Sequence, residues 1–218
     1  GNVPGMSGLD SNYYLATVPD RELGFGPLQG AASASVCIVG GGFAGLNTAL
    51  GLAERGVRDV VLLESQRVGF GASGRNGGFV FGGFSRGEEN LLQDLGPERA
   101  RDLYAGTTDA VELIRARTER YSIDCDRVDA GVLWANWFRD PQVLRERQRL
   151  LAERFDTHWE WTPRERLRSL IHSQRYHDGL FEPQAFHFHP LKYARGIARA
   201  AMAQGGAIHG QTPGIALE

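Results

Sequence analysis

Six consecutive residues, Gly40-Gly41-Gly42-Phe43-Ala44-Gly45, have the spacing G-x-G-x-x-G. In this pattern the first glycine permits a tight turn, the second lets the backbone approach a pyrophosphate, and the third lets a helix pack closely on a strand. The N–H groups at the start of that helix would face the phosphates. Glu64 follows Gly45 by 19 residues, where a carboxylate can accept hydrogen bonds from ribose hydroxyls. These residues predict a dinucleotide site, and the carboxylate disfavours NADP.

A second segment, Gly69 to Gly83, contains seven glycines in fifteen residues. The apolar residues in and beside it do not suit a solvated linker; they are Phe70, Phe79, Val80, Phe81 and Phe84. A flavin ring lying against bare backbone would account for such a segment. Ser73 could bond a phosphate or ribityl oxygen, the N–H groups from Asn76 to Phe79 could reach the polar edge of the ring, and Arg75 could place positive charge beside it. We therefore expect FAD rather than NAD, with an NAD-linked dehydrogenase as the weaker alternative.

The elements that would position these residues form a βαβ unit. Residues Ser35–Gly40 and Asp59–Glu64 are predicted to be buried strands, and Phe43–Arg55 a helix that ends at Gly56. Further helices are expected from Pro97 to about Tyr121, from Asp140-Pro141 to about Arg154, from Thr162-Pro163 to about Leu170, and from Pro190 to about Gly205. Further strands are expected at Gly131–Trp137, Gly179–Pro183, Ala185–His189 and Ala207–Gly210, with a last one beginning at Gly214–Glu218.

Composition excludes some classes of protein. The chain has 218 residues and a net charge of −2, which argues against a nucleic-acid-binding protein. Its two cysteines form no disulfide framework, and Cys37 is expected to be buried. Residues Val36–Ala53 carry no charge, but three adjacent glycines interrupt them, so we expect no integral membrane segment. Because the N-terminal region has no targeting pattern, a cytoplasmic protein is expected.

Three segments, VCIVGGGFAGLNTALGLAERG, VVLLESQRVGFGASGRNGG and HPLKYARGIARAA, resemble the FAD-dependent oxidoreductases of the D-amino-acid oxidase and glycine oxidase type. Within that family, GASGRNGG is most similar to the gamma-glutamylputrescine oxidase branch. The resemblance implies an α/β fold, in which a Rossmann-like FAD-binding domain is interleaved with an α+β substrate domain built on an antiparallel sheet. The expected segments are an N-terminal extension (1–34), the FAD domain (35–127), the start of the substrate domain (128–186) and the FAD domain again (187–218).

The resemblance also implies a function: oxidation of a C–N bond in an amine or amino acid, with O₂ or another electron acceptor. No catalytic residue and no metal ligand follows from it. One departure is Gly214, where the family usually has valine. Another is length, because family members are about twice as long. A truncated FAD-binding fragment or subunit that needs a C-terminal half or a partner chain is therefore the alternative. The implied cofactor-binding residues are Gly40, Gly42, Phe43, Ala44, Gly45, Glu64, Ser65, Arg67, Ala72, Ser73, Gly74, Arg75, Asn76, Gly77 and Gly78.

Histidines and tryptophans form two further groups of candidate residues. His187 and His189, with His172 and His177 nearby in sequence, are a conceivable metal site, but no cysteine or carboxylate stands at ligand spacing. A strand-to-helix junction at His189-Pro190 is favoured. The four tryptophans are expected to pack on a sheet, with the lining of an amine pocket as the alternative; they are Trp134, Trp137, Trp159 and Trp161.

Overall fold

The computed structural model describes residues 12–18 and 25–216. The helices are α1 (Tyr13–Ala16), α2 (Phe43–Glu54), α3 (Glu88–Leu95), α4 (Pro97–Arg120), α5 (Gln142–Phe155), α6 (Arg164–Leu170) and α7 (Pro190–Ala203). The strands are β1 (Val36–Val39), β2 (Val60–Leu63), β3 (Phe79–Val80), β4 (Val132–Ala135), β5 (Glu160–Thr162), β6 (Gly179–Glu182), β7 (Phe186–His187) and β8 (Ala207–His209).

The first unit comprises the described residues up to Gly78, residues 117–126 and the residues from Phe188 onward. Its sheet is parallel, in the order β1-β2-β8, with Val36 opposite Val60 and Val61 opposite Ala207. Helices α2 and α7 pack on each other and on this sheet. Parallel strands joined by a helical crossover end at the same edge of a sheet. The residues that follow β1, β2 and β8 therefore lie side by side.

The prediction for Cys37 is wrong: this residue is exposed. Side chains alternate along a strand, and β1 places Val36 and Ile38 on the less exposed side, with Cys37 and Val39 on the other. Val39 is 62% exposed. An apolar run predicts a strand, but it does not predict which face of the sheet the helices cover.

The second unit, residues 79–116 and 127–187, contains two antiparallel sheets, β3-β7 and β4-β6-β5. Its hydrophobic core is formed mainly by residues of α3, α4, α5 and β6, among them Leu91, Tyr104, Leu151 and Leu180. Two of its elements, α3 and β3, were not predicted. The strand predicted to begin at Gly214 is also wrong as far as the structure describes it, because residues 212–216 are neither helix nor strand; residues 217–218 lie outside the described part.

The division into units differs from the expected segments at residues 79–116, which were expected to belong to the cofactor-binding domain. In the structure these residues lie in the second unit, because Leu91, Ala100 and Tyr104 pack into its core. Residues 1–11 and 19–24, half of the expected N-terminal extension, lie outside the described residues. No helix in ranges 12–18 and 25–216 is both long and apolar enough to cross a membrane.

Candidate dinucleotide-binding site

The turn between β1 and α2 can be made only with glycine at two positions. Gly40 has φ +108°, a conformation that residues with a side chain rarely adopt, and its N–H donates to the carbonyl of Leu63 at 2.8 Å. A Cβ on Gly45 would overlap the carbonyl oxygen of Gly40. The first turn of α2 is therefore held directly against the end of β1.

Glu64 links the end of β2 to this turn. Its Oε2 accepts a hydrogen bond from the N–H of Gly41 at 2.6 Å, and its Oε1 accepts one from the N–H of Gln66 at 2.8 Å. The Ser65 hydroxyl lies 3.3 Å from the same Oε1. Glu64 is only 9% exposed, so its carboxylate is fixed at the edge of the sheet by backbone donors.

Ser73 connects the second glycine-rich segment to the start of α2. The Ser73 hydroxyl accepts a hydrogen bond from the N–H of Phe43 at 2.9 Å. Gly42 is the N-cap residue and supplies no side-chain cap, and a Cβ added to it would lie 3.0 Å from the Ser73 oxygen. The N–H groups of Ala44 and Gly45 belong to the same first turn, which has no intrahelical acceptors. This end of α2 is suited to an anion.

The glycine-rich segment is an ordered part of the first unit as far as Gly78. Residues Ala72–Gly74 form a 3₁₀ turn. A Cβ on Gly74 would overlap the carbonyl oxygen of Gly69, and one on Gly78 would overlap that of Phe188. Gly69 has φ +72°, and a Cβ there would lie 2.8 Å from Cδ1 of Leu191. These glycines are required for close packing, so the segment is not a linker.

Three predicted polar residues of this region have protein partners. The guanidinium groups of Arg67 and Arg75 lie 4.8 and 5.2 Å from the ring centre of Phe70. The side-chain oxygen of Asn76 accepts from the N–H of Gly78 at 2.8 Å. The structure therefore brings Phe43, Glu64 and Ser73 to the glycine turn, whereas a contact of Arg75 with a flavin stays a prediction. Contacts of Ser65, Ala72 and Gly77 with a cofactor also stay predictions.

Two residues of the site were missed. They are Gly41 and Gly69. The N–H of Gly41 donates to Glu64, and the carbonyl of Gly41 accepts from the N–H of Gly69 at 2.9 Å. These two bonds join the segments that build the site. Gly41 stands at a variable position of G-x-G-x-x-G. The motif spacing gives no signal for it; the reason for glycine appears only in the structure, where a Cβ at Gly41 would lie 3.1 Å from the side chain of Glu64.

A buried polar network connects the side chains of α2 to Arg117 and Tyr121. Nη2 of Arg117 lies 2.7 Å from Oε2 of Glu54, and Nη1 donates to the side-chain oxygen of Asn47 at 2.7 Å. The Tyr121 hydroxyl donates to Glu54 at 2.9 Å. Burial opposes ionisation of Glu54, but the bonds from Arg117 and Tyr121 outweigh it, so the pKa of Glu54 lies below its usual value. Burial also raises the pKa of Tyr193, to about 12.

His189 caps a helix. Its Nδ1 accepts from the N–H of Lys192 at 3.2 Å at the start of α7, and its Nε2 lies 3.0 Å from the Thr17 hydroxyl. Burial, followed by the charge of Lys192, lowers the pKa of His189, which keeps the ring neutral and able to accept. His189 thus lies at a junction between a strand and a helix, as predicted. Within the described ranges, no group of three or more His, Cys, Asp or Glu residues could hold a metal ion.

Trp134 and Trp159 pack in the second unit, whereas Trp137 is 51% exposed and lies beyond the end of β4, contrary to the expectation. Trp134 and Trp159 stack with ring centres 5.8 Å apart and planes within 5°. The guanidinium of Arg147 lies 5.0 and 4.9 Å from these two rings. Packing on the sheet therefore accounts for this pair, although Trp159 also lines a cavity.

These features define a class of protein. Residues 35–218 match the family model described as FAD dependent oxidoreductase, and the chain belongs to that family. FAD is the cofactor of the family. The residues of the glycine turn fit such a group, because the turn lacks side chains where Cβ atoms would intrude, and N–H donors and a fixed carboxylate adjoin it.

Individual relatives agree with this assignment. The chain is 36% identical over 204 residues to a gamma-glutamylputrescine oxidoreductase of Escherichia coli, covering 94% of this chain and 47% of the relative. It is 35% identical over 206 residues to a probable oxidoreductase, OrdL, of Haemophilus influenzae, with 93% and 47% covered. An L-amino acid deaminase structure from Proteus myxofaciens is similar in fold, with TM-score 0.65, 24% identity, and 85% and 40% covered. The chain thus spans about half the length of these curated relatives.

Proposed function

We propose that this chain holds FAD at the turn between β1 and α2 and takes part in oxidising a C–N bond of an amine or amino acid. The N–H groups at the start of α2 would bind the pyrophosphate. Glu64 would accept hydrogen bonds from the adenosine ribose, and the backbone from Ser73 to Gly78 would adjoin the ribityl chain and flavin.

The cofactor, when bound, supplies a two-electron acceptor at flavin N5. The substrate would lose a hydride from carbon and a proton from nitrogen, giving an imine that water hydrolyses to a carbonyl compound and an amine or ammonia. The two electrons would pass on to O₂ or another acceptor. The described residues of the first unit bind and orient; we assign none of them a proton-transfer role.

The observation that carries the proposal is the joining of three segments at one helix start. Glu64 bonds to Gly41, Ser73 bonds to Phe43, and Gly69 bonds to Gly41, all within 2.6–2.9 Å. Besides accepting from backbone N–H groups, Glu64 and Ser73 place a buried carboxylate and a hydroxyl beside the glycine turn. An FAD pyrophosphate and ribose would use both.

The test is anaerobic mixing of the purified protein, loaded with FAD, with candidate amines while the flavin absorption near 450 nm is followed. Because the Escherichia coli relative is named for gamma-glutamylputrescine, that amine is the first to use, followed by putrescine, glycine and D-alanine. The proposal expects bleaching by at least one amine, and colour that returns with O₂ or an added acceptor. Stable binding of FAD with no bleaching by any amine would contradict the enzymatic part.

A second candidate function is FAD binding without turnover, in a chain that needs a further polypeptide for catalysis. The observation in its favour is that the chain spans 47% of two curated relatives. The same experiment separates the two functions, since this candidate expects bound FAD that no amine reduces until the complementing polypeptide is added.

A further inference from the structure

A cavity of about 470 Å³ lies within the second unit, and no residue of the dinucleotide site lines it. This volume is in the range of ligand-binding pockets. Its aromatic walls are Tyr104, Phe155 and Trp159, which are 2%, 4% and 5% exposed. The rings of Tyr104 and Phe155 lie 4.8 Å apart, so this wall is held in place by core packing.

One wall of the cavity carries a fixed carboxylate, that of Glu182 on β6, which is 5% exposed. Its Oε2 accepts from the indole N–H of Trp134 at 2.9 Å, and its Oε1 accepts from the N–H of Gly82 at 3.3 Å. Gly82 also lines the cavity. A carboxylate has about four lone-pair sites, so these two donors orient Glu182 without using all of its acceptor capacity.

The charges around this carboxylate do not balance. The charge of Arg147 acts on Glu182, but Nη2 of Arg147 pairs with Oε1 of Glu88 at 2.9 Å, so one guanidinium serves two carboxylates. Burial raises the pKa of Glu182, and the negative charge of Glu88 raises it further. The hydrogen bonds from Trp134 and Gly82 and the positive charge of Arg147 act in the opposite direction. An additional cation beside Glu182 would relieve the excess negative charge.

The remaining charged groups of the lining are exposed, unlike Glu182. Arg101 is a cation on the exposed side of α4, where its Nε donates to the carbonyl of Arg154 at 3.2 Å. His158 lies 3.6 Å from Asp156, so these two residues interact with each other. Glu112 also lines the cavity, but its Oε2 lies 3.4 Å from Nε of Arg115, so it has its own cation. The cavity therefore combines aromatic walls with one buried carboxylate, and aromatic faces attract cations.

We propose that this cavity binds a small organic ammonium ion, with the ammonium group on Glu182 and the apolar body against Tyr104, Phe155 and Trp159. This site is additional to the dinucleotide site and does not depend on flavin chemistry. Its ligand would be a primary amine that carries an apolar or aromatic chain.

The test is isothermal titration calorimetry of the purified protein at pH 8 with 4-phenylbutylammonium and with the neutral 4-phenylbutanol. The proposal expects saturable binding of the ammonium ion, and binding of the alcohol weaker by about tenfold or more, because a hydrogen bond to a charged group is worth at least this factor. Equal binding of the two probes, or no binding of the ammonium ion, would overturn it.

Variants locate the site. Glu182→Gln removes the charge and is expected to weaken ammonium binding about tenfold or more. Glu146→Gln is the matched control, since Glu146 is exposed on α5 and does not line the cavity. Ala105→Phe keeps Glu182 and instead fills the cavity from an exposed position of α4, so it is expected to abolish binding even if Glu182→Gln folds poorly. Unchanged affinity in Ala105→Phe, or equal loss in Glu146→Gln, would overturn the proposal.

Discussion

The hydroxyl of Ser73 accepts a hydrogen bond from the N–H of Phe43, 30 residues earlier in the chain. Phe43 opens α2, and the N-cap residue Gly42 has no side chain to fill this role. Ser73 therefore caps the helix from a distant segment, which allows glycine at the N-cap, where a ligand phosphate could approach. The bond couples the order of the glycine-rich segment to that of the helix start.

Replacing Ser73 with alanine is expected to lower the free energy of unfolding by about 1 kcal/mol, the usual cost of losing a helix N-cap. FAD affinity should fall as well, because the 3₁₀ turn loses its connection to α2. Urea unfolding and FAD titration measure the two effects. Ser169→Ala is the control, since that exposed hydroxyl bonds only to a nearby carbonyl of its own helix. Equal behaviour of the two variants would contradict the capping role.

Gly74→Ala and Gly71→Ala make the same change three residues apart. A Cβ on Gly74 would overlap the carbonyl oxygen of Gly69, whereas one on Gly71 would meet nothing within 4 Å, and Gly71 has φ −75°. We expect Gly74→Ala to lose FAD binding and about 2 kcal/mol of stability through displacement of the backbone. Gly71→Ala should match the parent in urea unfolding. A tolerated alanine at 74 would show that the segment is not closely packed.

Glu64→Gln tests the carboxylate at the sheet edge. Glutamine has one acceptor oxygen, so its amide would face either the N–H of Gly41 or that of Gln66, leaving a buried donor without its bond. The expected losses are about 1–3 kcal/mol in unfolding free energy and about tenfold or more in FAD affinity. Glu153→Gln, an exposed change on α5, is the control. FAD affinity equal to that of the control would contradict the role of Glu64.

The pair Arg117 and Glu54 predicts acid sensitivity of the first unit. Because the pKa of Glu54 is depressed in the folded state, its stabilisation is complete above the ordinary value of 4.5 and is lost as the pH falls through the lower, folded-state value. Glu54→Gln should remove this part of the pH dependence below pH 4.5. Urea unfolding at a series of pH values measures it; an unchanged slope would contradict the prediction.

Breaking the same pair from the other side gives a stability prediction. The Arg117 side chain is 5% exposed and that of Glu54 is 15% exposed, so Arg117→Met leaves a largely buried charge and should cost about 3 kcal/mol. Arg120→Met is the matched control, because Arg120 lies 3.9 Å from Glu54 with a 65% exposed side chain; it should cost less than about 1 kcal/mol. Similar losses of unfolding free energy in the two variants would show that burial of the ion pair does not determine its contribution to stability.

The parts that the sequence predicted are those set by local pattern. The spacing from Gly40 to Gly45, the strands around it and Glu64 follow from periodicity and from glycine sterics, which act over a few residues. The bond from Ser73 to Phe43 and the exposure of Cys37 depend on which distant segments meet. The packing of Tyr104 with Leu180, which places 79–116 in the second unit, also depends on tertiary contacts. The residue pattern of a helix shows which of its faces is apolar, but it does not predict the sheet on which that face packs.

The central claim is that the turn between β1 and α2 binds FAD. Its most direct test is an equilibrium titration of the purified, folded protein with FAD, followed by the visible flavin absorption and by the flavin retained after gel filtration, with NAD as the competitor. We predict saturable binding of one FAD per chain, which excess NAD does not displace. A folded protein that retains no FAD, or that releases it to NAD, would contradict the account.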